Sequence, residues 1–286
     1  MLCLVPREDG TVGPRDPSSQ AVFESLVSDL KRDGYRVHLG MAFTDETGQR
    51  FDGVQAAAFL ADPKWRQRVR ESVAPLLEPV DGLEIDLEQL PNQARPYVTA
   101  LVADLAQTVR PAKQLDIFVP PSVTSPSDLP DGEAFSRTDL APYVDRMRVM
   151  TLDYSDQSPG PTIDPGWAVD VIRLAHADFA NVDIAYPLYG VDFGPRGRRL
   201  SSESEGLGVA KAMSAPITRG PTGAPFVRYR AFDGSPHELW FDDASSTGRA
   251  LGAWNAEVLP LDVGVLFYGL GDEEPGLFER LAARMP

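Results

Sequence analysis

A single cysteine, Cys3, among 286 residues leaves no partner for an internal disulfide and too few thiolates for a metal cluster. Histidine is nearly as scarce: His38, His176 and His237 stand far apart, at no short metal-ligand spacing. No apolar run approaches the roughly 18 residues that a membrane-crossing helix needs. The opening apolar run is interrupted at Arg7, Glu8 and Asp9, too soon for the core of a signal peptide. Cations are in the minority, with 27 Lys and Arg against 42 Asp and Glu and a net charge of -15. Such a chain lacks the excess of clustered cations that displaces counterions from nucleic acid, so polyanionic partners are set aside, whereas a neutral polysaccharide would not be repelled.

What is present suits a globular domain. Hydrophobic residues make up 43% and charged ones 24%, enough apolar material for a sizeable core. The length fits one α/β barrel, which takes about 250 residues. Short β-branched or apolar runs at residues 2–5, 36–43, 82–87, 115–119, 146–153, 182–187 and 263–268 read as strands, and they alternate with segments of helical period. Val22, Phe23, Leu26, Val27 and Leu30 form one helical stripe; Trp65, Val69, Val73 and Leu76 form another, opened by Asp62 and Pro63; Val98, Leu101, Val102, Leu105 and Val109 form a third, and Asp164 with Pro165 opens a fourth helix. These stripes are read as packing faces. The pattern predicts a parallel sheet, and the class expected is a single parallel (β/α)8 TIM-type barrel over residues 1–286. Asp233-Gly234, flanked by β-rich runs, predicts an antiparallel hairpin inserted at about 221–243, before the last barrel strand. The stretches 120–132 and 194–204 are read as long loops.

The densest chemical signal is Asp81-Gly-Leu-Glu84-Ile-Asp86-Leu-Glu88. Strand side chains alternate, so Glu84, Asp86 and Glu88 share one face while Leu83, Ile85 and Leu87 share the other, and Asp81 has the opposite parity from the acids. Strands of a parallel barrel are covered on both faces, which turns the acids inward, toward the end of the strand where such barrels place their active sites. Crowding raises the pKa of at least one of them, and Glu88, last in the run, is suited to donate a proton. A structural or metal-binding ladder of acids is the other reading of the same pattern.

Residues 81–88 resemble the D-x-x-D-x-D-x-E motif of glycoside hydrolase family 18, the chitinases and related peptidoglycan and spore-cortex hydrolases, with Glu84 where the family has Asp. The resemblance runs on through residues 144–154, the sixth family strand, with Met150, Asp153 and Tyr154; through 185–190, the seventh, with Tyr189; through Trp240, Asp243 and the serines that follow; and through 264–271, the last strand, with Tyr268. It covers most of residues 36–285 in order. It implies hydrolysis of β-linked N-acetylglucosamine polymers, chitin or peptidoglycan glycan, by a substrate-assisted retaining mechanism that needs no cofactor or metal. By the same resemblance Glu88 protonates the leaving oxygen, Asp86 holds the acetamido N–H, and Glu84 backs Asp86. Asp153 would orient the acetamido group, Tyr189 and Tyr268 lie near the sugar-binding floor, and Met150 and Tyr154 count among the substrate-binding positions.

Several positions depart from the family. Leu152 replaces a Tyr, Tyr268 replaces a Trp, and Met41, Ala42 and Phe43 replace a Ser-x-Gly-Gly ending. If residues 2–5 match the second family strand, the first is missing and an edge is left open. Two further readings follow: a non-catalytic carbohydrate-binding protein on a decayed barrel, motivated by Leu152 and Tyr268, and a divalent-metal hydrolase using Glu84, Asp86 and Glu88. Location depends on the chain start: secreted or cell-envelope if a natural leader precedes it, cytoplasmic if the chain is complete as written.

Overall fold

A computed structural model describes residues 3–14, 20–43, 53–122, 134–271, 273 and 276–282. The loop read at 120–132 falls largely outside them. The chain divides into two compact units, one drawn from Met1–Ser122, Leu129–Val149 and Ala175–Val182, the other chiefly from Met150–Leu174 and Asp183–Pro286.

In the first unit β1 (Cys3–Pro6) pairs antiparallel with β2 (Val12–Pro14) and parallel with β3 (His38–Ala42). Three more strands follow in parallel, each bonded to the one before: β4 (Gly82–Asp86), β5 (Gln114–Val119) and β6 (Arg146–Val149). One face of this sheet is apolar. Leu39, Met41, Leu83, Ile85, Leu115, Ile117, Met147 and Val149 are at most 1% exposed, and residues in register across parallel strands point the same way. Helices connect the strands. Asp62 caps Pro63–Val73 by accepting from Lys64 N, with Pro63 in the first turn, where its missing N–H is harmless. Trp65, Val69 and Val73 of that helix are buried, as are Val98, Leu101, Val102, Leu105 and Val109 of Arg95–Val109.

The stripe at residues 22–30 packs less than its period predicts. Val27 is buried, but Val22 and Leu26 are 67% and 48% exposed. Phe23 faces a cavity of about 220 Å³ shared with Leu4, Pro14 and Leu39, so Gln20–Arg32 covers its part of the sheet incompletely. The edge of β1 away from β3, read as open, is covered by β2.

In the second unit β7 (Val182–Pro187) pairs in parallel with a late strand, and between the two lies a five-stranded antiparallel sheet. Its strands are β8 (Gly190–Gly194), β9 (Gly197–Ser201), β10 (Ile217–Arg219), β11 (Pro225–Arg230) and β12 (Pro236–Trp240), in the order β10-β11-β12-β8-β9. The parallel partner of β7 is β13 (Gly264–Tyr268). Among the described residues the parallel strands number seven, one at each position read from the sequence. Asp233 and Gly234 turn β11 into β12, with Gly234 at φ 83, which a residue bearing a Cβ rarely adopts. The stretch 194–204 is not a loop: Gly197 at φ 102 makes a hairpin turn, β9 returns along β8, and Ser202 caps helix Glu203–Ala212. Arg198, Arg199 and Leu200 form this strand by pairing rather than by burial, so they carry no apolar period. The strand read at 146–153 stops at Val149, and Asp153 at φ 53 cannot continue extended backbone. No described helix is long and apolar enough to cross a membrane.

Gly53 opens helix Gly53–Ala61 directly against the chain leaving β4, where a Cβ would lie 1.8 Å from the carbonyl oxygen of Gln89. Gly53→Ala is therefore expected to destabilise the protein by about 1–3 kcal/mol, read as a lower midpoint in chemical denaturation. An unchanged midpoint would show that the Gln89 peptide yields freely.

Candidate active site

Each unit carries a polar cluster that includes residues singled out in the sequence. In the first it forms on the non-apolar face of β3 to β6. Leu83, Ile85 and Leu87 are 0% exposed, which fixes the rotation of β4 and puts Glu84 and Asp86 on its other face; Glu88 follows two residues past the strand end, and all three acids are partly buried. Register sets Glu84 between Gly40 of β3 and Asp116 of β5, and Asp86 beside Ala42 of β3. Asp81 has the other parity and a structural role: it accepts from Val37 N and pairs with Lys31 at 3.1 Å.

Three residues unassigned by the sequence reading complete this cluster. Arg148 on β6 pairs with Glu84 through Nε and with the fully buried Asp116 through Nη2 at 2.9 Å. Asp116 also accepts from Gln114 Nε2 at 2.9 Å, and His38 Nδ1 lies 3.3 Å away. Burial raises the Glu84 carboxyl above its ordinary value while Arg148 pulls it back. Asp86 is pushed up to about 7 by burial and then by the charge of Glu84. Its Oδ1 is buried with no hydrogen-bond partner among the described residues. A lone Asp inside the apolar run of β5 and the alternating Arg146 and Arg148 of β6 were the available signals, since both share parity with the acids.

In the second unit the structure brings Asp153, Tyr189 and Tyr268 together. Tyr189 donates its hydroxyl to Asp153 Oδ1 at 2.9 Å and meets Tyr268 edge to face at 6.2 Å. Arg198, absent from the sequence reading, bridges Asp153 and Asp156 from β9 at 2.9 and 3.0 Å. Burial, and next the Asp153 charge, holds the Tyr189 phenol well above its ordinary range, so it remains a donor. The Tyr154 ring packs on Trp167 at 5.3 Å. Met150 is buried. An open cleft of about 1020 Å³ runs past Arg198, lined also by Asp156, Phe193, Arg228, Tyr229 and His237. It gives an aromatic and polar wall of a size that admits sugar rings. His237 pairs with Asp192 at 3.1 Å.

No protein-family model matches the chain. A Bacillus subtilis protein named for a sporulation-specific glycosylase, YdhD, is 27% identical over 195 residues, covering 60% of this chain and 46% of that protein. The chain thus spans less than half the length of that curated relative. Among solved structures it is similar to the spore cortex-lytic enzyme SleL of Bacillus cereus, with a TM-score of 0.82 at 17% identity, covering 99% of this chain and 66% of that one. A chitinase of Chromobacterium violaceum gives 0.83 at 18%, covering 98% and 89%. A class V chitinase of Pseudomonas fluorescens gives 0.83 at 19%, covering 99% and 90%. These likenesses establish the fold, the parallel α/β barrel class read from the strand pattern.

Asp86 keeps its proton to about 7 when folded but releases it near 3.8 otherwise. Between those values the folded state binds more protons, so this group makes stability fall as pH rises through that window. Asp86→Asn is expected to exceed the wild type in stability by on the order of a few kcal/mol at about pH 8 and to match it at about pH 3. Calorimetric melting temperatures at the two pH values read the difference; a wild type equally stable relative to the variant at both would show Asp86 to be ordinary.

Proposed function

We propose that the chain is a glycoside hydrolase that cleaves β-linked N-acetylglucosamine polymers, chitin or the glycan strands of peptidoglycan, by a substrate-assisted retaining mechanism. The observation that carries this reading is the polar face of β4, with Glu84 and Asp86 on the strand and Glu88 just past its end: burial pushes Asp86 up to about 7, and its Oδ1 has no hydrogen-bond partner among the described residues. A carboxyl in that state can offer its partnerless oxygen to an acetamido N–H. The fold shared with chitinases and a spore cortex-lytic enzyme supports the same substrate class.

Glu88 would protonate the glycosidic oxygen as the 2-acetamido oxygen attacks the anomeric carbon, which breaks the glycosidic bond and forms an oxazolinium ion. Glu88, now ionised, would take a proton from water as that water opens the ion, which restores the acid and retains the anomeric configuration. Asp86 would stabilise the positive charge that develops on the acetamido nitrogen, a contact stronger in the transition state than in the ground state. The family resemblance gives Asp153 the task of orienting the acetamido group, and the Tyr189 and Arg198 bonds would hold that carboxylate in place. Tyr268 would face the sugar ring, with Met150 and Tyr154 in supporting positions.

Glu88→Gln is expected to lower sugar release from chitooligosaccharides or peptidoglycan by roughly 100-fold or more while saturable binding remains. Equal release by both proteins would remove Glu88 as the acid, and binding without products from the wild type would favour the carbohydrate-binding reading. De-N-acetylated versions of the same polymers are expected not to be cleaved, and chromatography of the products checks this; equal cleavage would exclude substrate assistance.

A further inference from the structure

Glu84 and Arg148 stand on strands that are not neighbours. Adjacent strands lie about 4.8 Å apart, so β4 and β6 are separated by roughly 10 Å, with β5 and its Asp116 between them. Arg148 reaches across β5, touching Asp116 on the way and Glu84 at the end. The longer side chain of Glu84, where the resembled motif has Asp, helps close that span. On this side of the first unit the charged groups on β4 and its neighbours are His38 on β3, Glu84 on β4 with Glu88 just past its end, Asp116 on β5, and Arg146 and Arg148 on β6. Arg148 is committed to Glu84 and Asp116, His38 leans on Asp116, and Asp86 Oδ1 has no hydrogen-bond partner among the described residues.

We propose that Arg148 is a positioning residue that decides which of the two neighbouring acids carries the proton: it holds Glu84 as an anion and leaves the proton to Asp86. Two crowded carboxyls that share one proton differ in function according to which one keeps it. The one beside a guanidinium ionises first, because the cation stabilises only the charged form. Asp86 therefore stays neutral near pH 6, able to turn and hydrogen-bond, while Glu84 is locked in place. The direction of the Asp86 shift agrees with this arrangement. The consequence for rate rests on the hydrolase reading; the location of the proton does not.

Infrared difference spectroscopy of the full chain at about pH 6 follows the C=O stretch of protonated carboxyls. With Arg148 intact, Asp86→Asn is expected to lose one such band. In an Arg148→Met background the same substitution is expected to leave a band, because Glu84 without its cation keeps a proton. Survival of the band in Asp86→Asn with Arg148 intact would overturn the proposal, as would its absence from the Arg148→Met and Asp86→Asn double variant. Should Arg148→Met not fold, Arg148→Gln serves in its place, and the Asp86→Asn comparison requires neither.

On chitooligosaccharide, Arg148→Met is expected to lower kcat roughly 10- to 100-fold with little change in KM. Its alkaline limb should move upward by about one pH unit, since loss of a cation makes the last proton of the pair harder to remove, and Arg148→Lys should restore both. A fall in rate without movement of that limb would make Arg148 merely structural and overturn the proposal. A wild type with no activity on any polymer would instead sink the hydrolase reading and leave the spectroscopic result standing.

Discussion

The apolar row Leu83, Ile85 and Leu87 holds the rest in place. All three are completely buried, so β4 cannot rotate or slip by one residue without driving Glu84 and Asp86 into the hydrocarbon layer and exposing that row. Register with β3 and β5 then puts Glu84 beside Asp116, both out of bulk water, and this is an unstable arrangement of charge unless a cation is brought to it. Arg148 is that cation. The alternation that makes a sheet core thus also dictates a buried polar network, and the site exists because the two demands are met on opposite faces of the same five residues.

Supply of cation in that network is uneven. Arg148 serves Glu84 and Asp116, while Asp86 has burial and a neighbouring anion acting on it, which pushes it to about 7. Equal carboxyls in unequal surroundings take unequal proton affinities, the condition for dividing acid, base and anion roles among like side chains. The Asp153 cluster of the second unit solves the opposite problem. Its carboxyl group is met by the Tyr189 hydroxyl and by two nitrogens of Arg198, which give it a defined orientation.

Legibility from the sequence followed the range of the interaction. Seven parallel strands appear where apolar runs were read, and Glu84 and Asp86 share a face of β4 as alternation assigns, because both properties are local to the strand. The hairpin at Asp233-Gly234 carried its own turn chemistry. What was missed depends on cross-strand partners. Strand β9 is held by pairing with β8 and has no apolar period; the burial of Asp116, Arg148 and His38 depends on register among four strands; and Arg198 reaches Asp153 from a segment read as loop. The exposed side of the stripe at 22–30 shows the converse error, since period predicts a face but not whether anything covers all of it.

The positions that depart from the motif bear on the choice between a working site and a decayed one. Drift after loss of function removes partners one at a time and leaves buried charges unmatched, each at a cost that folding must absorb. Glu84 is the clearest departure, and it is matched: its carboxylate meets a guanidinium two strands away, which a shorter Asp would be less able to reach. Leu152 lacks a hydroxyl, yet Asp153 beside it accepts one from Tyr189. Asp86 Oδ1 is a buried oxygen with no hydrogen-bond partner among the described residues, at the position where the substrate-assisted reading needs an acceptor for an N–H. A buried carboxyl oxygen that takes no hydrogen bond from the described residues is able to accept one from a substrate N–H.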